Sequence, residues 1–200
     1  MKNFSNTYIF IYVTALVLVI AVVLSAVAIG LKPKQEANKQ AEKAQQILKA
    51  AGYPDIERTK AVDFFASVAQ AKEGQGREMY SIRCADGANG TVVSLRGKGL
   101  WGPIWGYAVL SEDNTTVKGV SFSHKSETPG LGAKITEENF TQSFVGKRLY
   151  DKDGNFVSVK VVPKGKGGNI AEENRVDAIS GATITSKGVD KMLQELKIEN

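Results

Sequence analysis

The first thirty residues constrain this chain more than any other stretch. Ile9 to Ile29 is apolar apart from Thr14 and Ser25, with Tyr12 amphipathic, and Asn3 to Leu31 holds no charged side chain. At a helical rise of about 1.5 Å per residue, this run reaches roughly 32 Å, against a hydrocarbon core of about 30 Å. A helix satisfies every backbone group internally, which an open strand in lipid cannot do. A cleaved signal peptide is the rival reading, since Ala26-Val27-Ala28 has small-x-small spacing. Its apolar region would run to about 7–15 residues, so a retained single-span anchor over residues 1–31 is expected.

The charges flanking the run are Lys2 and the amino terminus on one side and Lys32, Lys34 and Lys39 on the other. Read literally, the positive-inside rule leaves the following domain in the cytoplasm. Of 26 basic and 21 acidic side chains, only Lys2 precedes residue 32, so residues 32–200 carry a modest net charge of +4. No basic tract alternates with aromatics, and nucleic-acid binding is not expected. With one Cys and one His, the chain cannot build a disulfide framework or a His-rich metal cluster, and no metal site is expected.

Residues 32–59 read as an exposed stalk helix and linker: Glu36–Ala51 is rich in helix formers, and Gly52 can end it. A second short helix is predicted over Ala61–Ala71. Strands are predicted at Thr91–Leu95, Ile104–Leu110, Val117–Ser123 and Phe156–Val162 from their β-branched and aromatic content. A helix after Thr136, capped by it, would place Phe140, Phe144 and Val145 together. A terminal helix would place Val189, Met192, Leu193 and Leu196 on one face, capped by Thr185 or Ser186. The fold class is therefore α+β: an N-terminal transmembrane helix, then one compact domain over residues 60–200 with a largely antiparallel sheet and flanking helices.

Chemistry concentrates in Asp177-Ala178-Ile179-Ser180-Gly181-Ala182-Thr183-Ile184-Thr185-Ser186, where hydroxyls and a glycine run into the start of the terminal helix. A helix start offers unpaired N–H groups and a positive dipole end, which suit a phosphate. Composition alone favours an ordinary Ser/Thr-capped loop. His124 and Cys84 lack triad or ligand partners and read as structural, while Trp105 and Pro103 read as packing or an edge turn.

The segment Asp177-x-x-Ser180-Gly181-Ala182-Thr183 resembles the flavinylation motif of the FMN-binding domain family, whose last Thr carries FMN through a phosphoester bond. Gly99-Leu100-Trp101-Gly102 and Glu127-Thr128-Pro129-Gly130-Leu131-Gly132 match the same family in order. Phe144-Val145-Gly146-Lys147 and Lys166-Gly167-Gly168 resemble, within it, the C subunits of sodium-translocating NADH:quinone reductases. Ala178 departs from the family's usual Gly. The resemblance implies covalent FMN on Thr183, with Asp177, Ser180, Gly181 and Ala182 around the attachment. The Thr128–Gly132 turn would present N–H groups to the flavin, with Leu131 over one ring face and Trp101, with Leu100, beside it. Lys166 would pair with the phosphate or pyrimidine end, and Glu127 would hold a ribityl hydroxyl or cap the turn.

It further implies an electron carrier in a sodium-transporting, ubiquinone-reducing membrane complex. NADH oxidation would fall to another subunit, because no GxGxxG fingerprint is present. Other subunits and an extracytoplasmic flavin transferase would be its partners. The domain would lie on the periplasmic side of the bacterial inner membrane, against the charge rule. The alternatives are the related G component of an Rnf-type electron transport complex and a non-redox, membrane-anchored module binding an anion at Ser180–Ser186.

Overall fold

The computed structural model describes residues 5–72 and 76–198. Lys2, used above for orientation, lies outside the described residues. The chain divides into two units, one up to Gln40 and one from Ala41 onward. Helix α1 (Asn6–Ala50) runs through both. In the first unit its apolar window is wholly exposed and carries the composition of a single membrane span. Pro33 stands inside the helix, between Lys32 and Lys34. Lacking an N–H, it leaves the Ile29 carbonyl without its helical partner, at the point where the apolar run has ended.

The second unit is built on an antiparallel meander of five strands in sequence order. They are β1 (Ala69–Lys72), β2 (Met79–Arg83), β3 (Asn89–Lys98), β4 (Pro103–Ser111) and β5 (Val117–His124). Alternation along the central strands sorts side chains to two faces. Val93, Leu95, Ile104, Ala108 and Leu110 point to one core, and Val92, Tyr107 and Val109 to the other. The pairing skips a residue between Val109↔Gly119 and Leu110↔Val117. This bulge returns Val117 to the same core as Val120 and Phe122, despite its opposite parity.

One face is covered by the end of α1 together with α2 (Arg58–Val68). Ile47, Ala50 and Ala51 pack on Val92, Val109, Ile82 and Cys84. Leu48 and Ala44 meet Ala61, with Phe64 and Phe65 alongside. Glu36–Ala51 is thus not an exposed stalk throughout, because its apolar positions past Gln40 are buried. The helix ends on Gly52 (φ +83°). Gly52 N–H donates to the Lys49 carbonyl and Tyr53 N–H to the Leu48 carbonyl, a Schellman closure.

The other face carries α3 (Glu138–Gln142), α4 (Thr183–Gln194) and a parallel pair, β6 (Lys160–Val162) with β7 (Arg175–Asp177). Phe122, Phe140 and Phe144 form a ring cluster there, and Val189, Met192, Leu193 and Leu196 are buried as their spacing predicts. Three predicted details differ. Thr136 ends a 3-10 turn (Gly132–Thr136), and its hydroxyl donates to the Ala133 carbonyl rather than capping α3. The Phe156–Val162 strand is cut short by buried Ser158 at φ +59°, whose hydroxyl donates to the Leu193 carbonyl. The second helix stops at Val68, and residues 69–72 become β1 through pairing with β2.

Candidate functional site

Two turns of the same build approach each other on the α4 side of the sheet. In the first, Leu131 N–H donates to the Thr128 carbonyl (3.1 Å) and Gly130 has φ +77°. In the second, Ala182 N–H donates to the Ile179 carbonyl (3.1 Å) and Gly181 has φ +77°. Both place a glycine at the third position, where a left-handed backbone is needed. A β-carbon at Gly181 would press on Leu131 Cδ2, so the two turns pack against each other.

The turn at Thr128 is closed by its own backbone. The N–H groups of Leu131 and Ala133 both donate to the Thr128 carbonyl and hold the turn shut. They are spent inside the turn rather than turned outward.

Glu127 ties three segments together. It is 5% exposed. Its Oε1 accepts the Trp101 N–H (2.8 Å) and its Oε2 accepts the Thr185 hydroxyl (2.6 Å). Its own N–H donates to His124 Nδ1 (3.2 Å), which gives the single histidine a structural task. Gly99 and Gly132 lie against the two carboxylate oxygens. Each oxygen thus accepts from a donor of the protein itself.

Helix α4 begins at Thr183, with its cap three or four residues ahead of the predicted caps, Thr185 and Ser186. Ala182 is the N-cap, and no side chain caps it. Thr185 and Ser186 fall in the first turn, where both are buried. Thr185 is held by Glu127, and the Ser186 hydroxyl accepts the Ile179 N–H (3.1 Å). Thr183 itself is exposed, with Ser180 and Gly181 exposed beside it in sequence.

Around these turns the chain leaves large apolar side chains uncovered: Trp101 is 64% exposed, Ile184 55%, Leu100 48% and Leu131 43%. Ile184 escaped the sequence reading. Its signal was present, since an apolar residue stands off the Val189–Leu196 stripe, on the side shared by Lys187 and Lys191.

The remaining predicted residues lie elsewhere. Asp177 closes β7 and lines a cleft of about 580 Å³ with Lys147, Lys164 and Arg175. Lys166 is exposed on the turn after β6, where its N–H donates to the Pro163 carbonyl (2.9 Å). No contact in the structure joins either side chain to Thr183 among the described residues.

Residues 99–197 match the family of FMN-binding domains. Over 94% of its length the chain is 31% identical to the Na(+)-translocating NADH-quinone reductase C subunits of two Neisseria meningitidis strains, covering 87% of each. It is likewise 31% identical to their Haemophilus ducreyi counterpart, over 89% of this chain and 84% of that protein. The crystal structure of the Parabacteroides distasonis counterpart superposes with a TM-score of 0.74 at 34% identity, covering 85% of this chain and 98% of that one.

Proposed function

The chain belongs to the family of Na(+)-translocating NADH-quinone reductase C subunits, and from that premise we propose that it is a membrane-anchored flavoprotein with FMN on Thr183. The exposed, uncapped start of α4 supports this reading most directly. Thr183 stands where N–H groups and the positive helix end favour a phosphate, and Thr185 and Ser186 are engaged elsewhere. Bound there, FMN would supply one- and two-electron transfer between partner centres of a sodium-transporting complex.

The surrounding residues fit such a group. Leu131, Trp101, Leu100 and Ile184 offer an apolar surface that needs a cover, and a flavin ring is flat and largely apolar. Ser180, Gly181 and Ala182 form the turn that leads into the exposed Thr183, while Thr128 and Gly130 form the turn that carries Leu131. Asp177 is assigned to the entry of the loop, where it closes β7, while no contact among the described residues carries the expected pairing of Lys166 with the cofactor. Attachment would follow from Thr183 Oγ1 attacking the flavin-side phosphorus of FAD on an extracytoplasmic transferase. The new phosphoester forms as the pyrophosphate bond breaks, releasing AMP and the hydroxyl proton.

The domains are assigned as an anchor over 1–31, a connecting segment over 32–40 and the flavin domain from Ala41 onward, since the end of α1 packs into its core, with that domain on the periplasmic side. The lysine imbalance is small, and long domains cross largely regardless of charge. Intact mass of the purified chain, expected to show one FMN adduct, tests the cofactor. Protease added to intact spheroplasts tests the placement: the domain is expected to be digested, and protection until lysis would restore the charge rule.

A further inference from the structure

We infer that Glu127 and Thr185 form a positioning brace, which sets the Thr183 hydroxyl and the Trp101 side chain in register with each other for flavin attachment. This rests on the reading of Thr183 as the acceptor. The brace has three parts. Glu127 is buried, yet both of its oxygens are occupied, one by the Trp101 N–H and one by the Thr185 hydroxyl. Thr185 lies one helical step past Ile184 in the first turn of α4, so fixing it fixes the rotation of that turn and the direction of Thr183. Gly99 and Gly132 leave no room beside the carboxylate for any β-carbon, so the three segments close directly on it.

A carboxyl group this buried needs its hydrogen-bond partners, because leaving either oxygen unpaired costs the desolvation of that group. The same link joins the site from below to the Leu131 turn, through the backbone that runs from Glu127 to Gly132. Attachment chemistry depends steeply on alignment, and a displacement of about 1 Å can cost on the order of a hundredfold in rate. Neither Glu127 nor Thr185 has to touch the cofactor to act in this way.

The test uses the full chain in detergent with FAD and a flavin transferase, and follows the rate of FMN incorporation and the melting temperature of each variant. Glu127→Ala and Thr185→Ala are each expected to slow incorporation on the order of tenfold to a hundredfold. The double variant should be no slower than the worse single one, because the two remove one link. Thr185→Ser keeps the hydroxyl and should restore the wild-type rate, whereas Thr185→Val, similar in volume, should not. The brace is overturned if the single losses add, if Thr185→Val matches Thr185→Ser, or if rate simply follows melting temperature across the series. A wild-type chain that takes up no FMN at all overturns the Thr183 reading instead, and the brace with it.

Discussion

The two faces of the sheet use their polar groups in opposite ways. On the α1 side, Lys43 bonds Tyr80 and Glu78, the Tyr53 hydroxyl donates to the Arg83 carbonyl, and Cys84 is sealed among Ile47, Val92 and Val109. Hydrophobic burial and hydrogen bonding there serve only to hold layers together. On the α4 side the buried groups (Glu127, Thr185, Ser186) brace a rim whose outer members, Thr183, Trp101, Leu131 and Ile184, remain uncovered. A folded domain gains nothing by exposing large apolar side chains around one hydroxyl unless something else covers them. One face is finished; the other is prepared.

The largest expected effect breaks the two faces apart. Thr183→Ala should abolish the covalent flavin, seen as loss of the adduct mass and of the fluorescent band on a denaturing gel. Because Thr183 is exposed, the melting temperature should barely change. Thr183→Ser should keep part of the adduct. A fluorescent Thr183→Ala band would move the acceptor to another hydroxyl.

The converse variant lies on the α1 side. Leu48 is fully buried against Ala44 and Ala61, and Leu48→Ala should cost about 2–5 kcal/mol of stability. Chemical denaturation of the flavinylated protein should show this loss, with the adduct still stoichiometric. Loss of flavin at full stability would mean that the α1 layer also shapes the site. A smaller effect is expected from Trp101→Ala and Leu131→Ala, which should shift the flavin absorption and midpoint potential while keeping the adduct. Wild-type spectra and titrations from both would reassign these side chains to packing.

How far the sequence foretold each face follows from the range of the interactions involved. The long apolar helix, the terminal helix stripe and the strands β3, β4 and β5 rest on run length, helical spacing and β-branched or aromatic content, which are local, and were legible. β1, β2 and β7 were not, because Ala69–Lys72 and Arg175–Asp177 become strands only through their partners. The N-cap of α4 lies at Ala182, three residues before Thr185 and four before Ser186, because these two only resemble caps: pairing across the fold with Glu127 and Ile179 takes their hydroxyls. The same distance in sequence hid the task of Glu127: its partner Thr185 is 58 positions away. The motif order singled out the segments, while the hydrogen bonds that join them emerged only with the fold.

The smallest effect concerns pH and reads only the finished face. Burial pushes the Cys84 thiol above its ordinary value of 9.0, opposed by nearby Lys118 and aided by Asp86. The unfolded chain therefore gives up this proton first, and the folded chain holds it to higher pH. With fewer protons bound in the unfolded state, stability falls as pH rises from about 9 toward the folded value. The Tyr53 and Tyr107 hydroxyls are raised as well, chiefly by burial, but from 10.0, so they act later. Cys84→Ala removes the first of these contributions. Its denaturation midpoint should therefore decline less than the wild type's between about pH 8.5 and 9.5, and the two slopes should converge only once the thiol titrates in the folded state as well. Equal slopes over that window would mean that the thiol titrates alike in both states, and that the α1 layer opens to water well before it unfolds.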